Sequence, residues 1–136
     1  MKTVAGYQEI EHTADWALKV WAPTLPELLI QAARGMYALM GVQTAKNPRR
    51  QRTFTIPFGD EESALVHFLS EILYYIETDQ VAFHHFVIQF IPDRIKVTAR
   101  GRPLRSIEKL IKAVTYHQLD IQHTAEGYLA QVVFDV

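Results

Sequence analysis

The chain contains no cysteine, which removes disulfides, thiolate zinc sites, iron–sulfur clusters and thiol nucleophiles from consideration together. Serine is almost as scarce. Ser63, Ser70 and Ser106 occur, and none stands in the GxSxG turn of a hydrolase nucleophile elbow. No apolar stretch approaches the roughly 18 residues that a membrane helix needs, and the opening MKTVAGYQ lacks the apolar segment of a secretory leader. A soluble, cytoplasmic protein is therefore expected. An excess of one charge is missing too: 14 Lys and Arg stand against 15 Asp and Glu, a formal net charge of -1, so no global field would hold a polyanion. Neither GxGxxG nor GxxxxGK[ST] is present, leaving dinucleotide and P-loop sites without support. None of the six histidines falls in HExxH or another zinc spacing.

What is present is periodic. At 136 residues the chain fits one ordinary domain, expected to span 1–136. WALKVWA (16–22) alternates with period two and reads as a strand, Trp16, Leu18 and Val20 on one face. TLPE (24–27) is a capping box, and Leu25, Leu28, Leu29, Ala32, Ala33 and Met36 then recur at helical spacing until Gly41. The basic stretch KNPRRQR (46–52) is either a solvated loop, the reading its Pro-containing polar composition favours, or a contact to phosphate. TFTIPF (53–58) reads as a short strand that Pro57 places at an edge or ends. Gly59-Asp60 opens a second helix whose buried stripe is Leu65, Phe68, Leu69, Ile72, Leu73 and Ile76, ending near Thr78-Asp79. Residues 83–91 and the alternating Ile95, Val97 and Ala99 make a hairpin around Pro92-Asp93, and 113–121 with 128–136 make another through HTAEG. Residues 101–111 suit either a helical turn or the lead into a strand. These elements predict an α+β fold of two layers: a largely antiparallel sheet of six or seven strands covered by two main helices.

Two acidic positions invite a chemical reading. Asp15 stands where an apolar strand begins, and an unpartnered carboxylate there is costly to desolvate. Its partner is either a set of turn N–H groups or a cation. At the other end, Asp135 precedes Val136, whose α-carboxylate closes the sequence, so two anions are adjacent unless the terminus frays into solvent. Should Asp15 lie on a neighbouring strand, oxygen donors converge that suit Ca²⁺, Mg²⁺ or Mn²⁺ better than Zn²⁺. His12 either fixes the EHTAD turn or supports a ligand from behind, and His117 is either such a support or one of an ordinary cross-strand set. His84 and His85 are adjacent, so on a regular strand they point to opposite faces and share no metal without a kink. His67 falls on the second helix as packing or surface. A metal-dependent phosphoesterase or nucleic-acid hydrolase is the catalytic alternative, although no second metal site or general base is evident.

In combination, HTAD (12–15), AARGM (32–36), KAVTYH (112–117) and the closing FDV (134–136) resemble the archease family across the chain and in order. That resemblance implies a small cytoplasmic accessory protein, not an enzyme, that activates an RtcB-type, GTP-dependent RNA ligase in tRNA splicing or RNA repair. It promotes ligase guanylylation and repeated turnover, and reaches RNA through the ligase. The resemblance also implies a divalent cation, usually calcium, held by Asp15, Asp135 and Val136. GRPLRSIEKLI (101–111) is shorter than the corresponding segment of many relatives, and Ser70 stands before Glu71 where Asn is common.

Overall fold

The cap signals and the two-residue alternations mark out most of the elements. In the computed structural model, which describes residues 4–10 and 16–136, the order is β1 (Gly6–Ile10), β2 (Trp16–Ala22), α1 (Leu25–Met40), β3 (Gln43–Thr44), β4 (Arg50–Pro57), α2 (Glu61–Asp79), β5 (Val81–Ile91), β6 (Arg94–Ser106), β7 (Ala113–Thr115), β8 (Gln122–Thr124) and β9 (Gly127–Asp135). Helix α1 starts after Thr24 because that hydroxyl accepts the Glu27 N–H at 3.3 Å, and it stops at Gly41, whose φ of 64° suits a residue without Cβ. Helix α2 starts after Asp60, whose carboxylate accepts the Ser63 N–H at 2.8 Å. All six residues of its anticipated stripe are buried.

The α+β class holds, with antiparallel pairing throughout the described strands. The strands divide between two sheets. One is β1-β2-β9, with β7 and β8 following one another along the far edge of β9; the other has β6 at its centre, β5 on one side and β4 then β3 on the other. Each sheet turns one face onto the helices, α1 against β2 and α2 against β4, β5 and β7. Leu18, Val20, Phe134, Ile95 and Val97 share one buried cluster with the helical stripes. Phe68 of α2 meets Phe54 and Phe86 at ring-centroid distances of 6.4 and 5.5 Å, joining both edges of the β6 sheet to the helix. Each such side chain contributes roughly 1.5–3 kcal/mol by leaving water.

Two expectations about elements are corrected, and one left open is resolved. Residues 113–121 are not one strand: Thr115 Oγ1 donates to the Val133 carbonyl at 2.9 Å and accepts the His117 N–H at 3.2 Å, and this local bonding ends the ladder. Gln118 then takes a φ of 54° before β8 begins. The basic stretch is loop only as far as Arg49, since Arg50, Gln51 and Arg52 belong to β4 and pair with β6. The ambiguous 101–111 segment resolves as the end of β6 followed by a crossing over α1, where the Glu108 and Lys109 N–H groups donate to the Met40 carbonyl at 2.8 and 3.2 Å.

Candidate functional site

Strand β9 is held on both sides at its C-terminal end. On one side β2 pairs with it from Trp16 opposite Phe134 to Ala22 opposite Tyr128. On the other, Ala113 lies opposite Asp135, and the Lys112 N–H donates to the Asp135 carbonyl at 2.8 Å. Phe134 is fully buried and Val136 packs partly buried against the core, while the Asp135 residue between them is exposed. The end of β9 is therefore an ordered strand with its carboxylate residue outward. Asp15 and His12 lie outside the described residues. Asp15 is joined by one peptide bond to Trp16, the residue of β2 that stands opposite Phe134.

Two lysines stand near this tip. Lys109 Nζ sits 5.7 Å from the centre of the Trp16 ring, and Lys112 is the residue before β7. Sequence alone does not single out Lys109, which falls in a segment that suits more than one conformation; the crossing over Met40 brings it to Trp16. Among the described residues, no three His, Asp or Glu side chains gather in a way that could hold a metal. Oxygen donors at Asp135 and Val136, with Asp15 next to Trp16, are the chemistry that fits a hard divalent cation.

His117 sits apart from the tip. Its N–H is bound to Thr115, which stands opposite Val133, so the chain has already moved along β9 away from Asp135. His67 is exposed on α2. The reading of His84 and His85 on opposite faces is corrected by a bulge: the β5–β6 register shifts between Phe83, opposite Gly101, and His85, opposite Arg100. With one extra residue on β5, both imidazoles are exposed and line the same cleft. Two acidic residues of α2 are engaged elsewhere, Glu62 accepting the Ile121 N–H at 3.0 Å and Glu61 lying 2.6 Å from His123 Nε2.

The sequence model of the archease protein family matches residues 7–136. The chain belongs to the archease family. Among archease relatives, that of Methanosarcina acetivorans is 37% identical over 140 residues, covering 96% of this chain and 95% of the relative. That of Methanopyrus kandleri is 30% identical over 138 residues, covering 96% and 99%. Among solved structures, an archease from Thermotoga maritima, described as a possible chaperone, matches with a TM-score of 0.72 at 27% identity over 95% of this chain and 96% of that one. A Methanobacterium thermoautotrophicum protein solved in solution shares the archease fold with a TM-score of 0.71 at 24% identity, over 96% and 99% of the two chains. Among the described residues, no helix is long and apolar enough to cross a membrane.

Proposed function

We propose that this archease is an accessory activator of an RtcB-type, GTP-dependent RNA ligase, and that a divalent cation bound at the tip of its larger sheet is required for the effect. Asp15 and Asp135 supply carboxylate oxygens, Val136 supplies a main-chain oxygen, and Ca²⁺ is the cation of choice, with Mg²⁺ or Mn²⁺ as substitutes. The observation that carries the reading is the ordered end of β9, paired through Asp135 and anchored by Phe134 and Val136, beside the start of β2. Family membership supports the accessory role. A bound divalent ion would neutralise the carboxylates that ligate it and stiffen the tip, giving the ligase a shaped surface to engage during guanylylation, a step that itself depends on metal charge at the triphosphate.

The test is multiple-turnover joining by the ligase with GTP and Mn²⁺, with and without this protein. Acceleration is expected with the wild-type chain and is largely lost with Asp15→Ala or Asp135→Ala. Equal rates with and without the wild-type protein would reject the activator role, and full activation by both variants would reject the metal requirement. A control with Mg²⁺ or Mn²⁺, phosphoester substrates and no ligase is expected to show no turnover, which separates this reading from a metal-dependent hydrolase.

A further inference from the structure

The near-zero net charge conceals a segregation. Strands β4, β5 and β6 contain no Asp or Glu, yet β4 carries two and β6 five of the chain's 14 Lys and Arg residues. The face of this sheet turned away from the helices is open to solvent. Its rows across β4, β6 and β5 are Gln51, Arg100 and His85, then Thr53, Thr98 and Val87, then Thr55, Lys96 and Gln89. Some cations are already paired, Arg52 Nε lying 3.1 Å from Asp79 and Arg94 Nε 4.0 Å from Asp93.

Others converge on a cleft of about 500 Å³ at one end of the face, lined by Arg49, Arg50, His84, His85, Arg100 and Arg102. The β5 bulge delivers both imidazoles to it, and Gly101 forms its floor, where a Cβ would collide with the Ala82 carbonyl. Arg102 Nε is buried and finds no hydrogen-bond partner among the described residues, a donor held out of water and lacking an acceptor there. Burial, then Arg102, His85 and Arg49, push the His84 imidazole below its ordinary range, as a concentrated positive potential should.

We propose that this cleft and the adjoining outer face of the β6 sheet bind the phosphate backbone of single-stranded RNA directly, through Arg49, Lys96, Arg100 and Arg102. Guanidinium groups match phosphate oxygens with paired N–H donors. Alternate residues along β6 recur about every 6.8 Å, so Lys96, Thr98, Arg100 and Arg102 form a line of donors, suited to a polymer of anions more than to one small anion. A protein partner would call for a cluster of apolar or aromatic anchors at the centre of the patch; the central row here is Thr53, Thr98 and Val87, two hydroxyls beside one valine and no aromatic ring. Recognition is therefore of the backbone and independent of base sequence. Binding of a polyanion stands on the charge of the sheet, while the choice of RNA rests on the proposed ligase role; the inference goes beyond RNA being reached through a partner.

The experiment is fluorescence anisotropy of a fluorescein-labelled oligouridylate with the full chain and no ligase. With about four phosphate contacts, affinity should fall about 50-fold as salt rises from about 50 to about 200 mM. In an Arg100→Ala/Arg102→Ala variant the low-salt affinity should drop and the loss over the same range should shrink to about 7-fold. Lys96→Ala/Arg100→Ala, at two exposed positions, carries the same expectation should the loss of Arg102 disturb the fold. Lys19→Ala on β2 should leave binding unchanged. Absence of binding at low salt would overturn the proposal, as would binding that survives both double substitutions. Displacement of the RNA by polyglutamate as readily as by unlabelled RNA would also overturn it, reassigning the face to an acidic protein.

Discussion

Tyr37 carries a polar atom from α1 to the bulge of β5. Its hydroxyl accepts the Phe83 N–H at 2.9 Å, and burial raises the hydroxyl's pKa well above the ordinary tyrosine value. Tyr37→Phe keeps the ring and removes the acceptor, so a main-chain donor within the bulge loses its partner. The expected loss is about 1–3 kcal/mol, read as a lowered urea midpoint; an unchanged midpoint would mean that water replaces the hydroxyl. His84 gives a pH signature of known sign. Its folded-state pKa lies below 6.5, so between the two values the unfolded chain binds more protons and stability rises with pH. The contribution of His84 is therefore neutral above that window and destabilising as pH falls through it. His84→Gln should flatten the decline in Tm between about pH 7 and about pH 5; parallel curves for the two proteins would count against it. Neither role was legible from sequence. Tyr37 is one more residue on a helix, and the environment of His84 is built from Arg49, His85 and Arg102, which strand pairing brings together.

Elements governed by short-range chemistry were the ones read correctly. Thr24, Asp60 and Gly41 act on N–H groups, carbonyls or φ values within a few residues, so both helices could be placed from their caps and periodicity. Strands that end for a local reason hidden in a β-branched run, as β7 does at Thr115, could not. The bulge is the clearest case. A period-two reading assigns His84 and His85 to opposite faces, whereas pairing with β6 inserts one extra residue and turns both outward. Gly101 is its counterpart on β6, since a Cβ there would meet the Ala82 carbonyl oxygen and the Phe83 Cα. Because these obstacles are backbone, Gly101→Ala forces the two strands apart. A cost of about 1–3 kcal/mol is expected, seen as a lower Tm and as faster amide exchange across β5 and β6. Wild-type exchange in the variant would show that the bulge does not depend on this close approach.

At the scale of the molecule, two surfaces lie on different sheets: the end of β9, where Asp135 is exposed, and a basic face on β4, β5 and β6. The tip makes a prediction about global stability, because an ion that binds only the folded chain stabilises it by mass action. At about 100 times its dissociation constant, Ca²⁺ should add about 2.7 kcal/mol to wild-type stability, reversed by a chelator and absent in Asp135→Ala. An equal calcium response in that variant would remove Asp135 from the ligand set. The sequence by itself determined the α+β class, both helices with their caps and the hairpin at Pro92-Asp93, since periodicity, capping and turn chemistry are properties of neighbouring residues. Only the tertiary structure decided that the strands form two sheets, that Trp16 faces Phe134, that His117 stands away from the tip and that scattered arginines share one cleft. The physical reason is range: the register of β2 on β9 joins residues more than 100 positions apart, and a one-residue bulge changes which side of a sheet a side chain occupies.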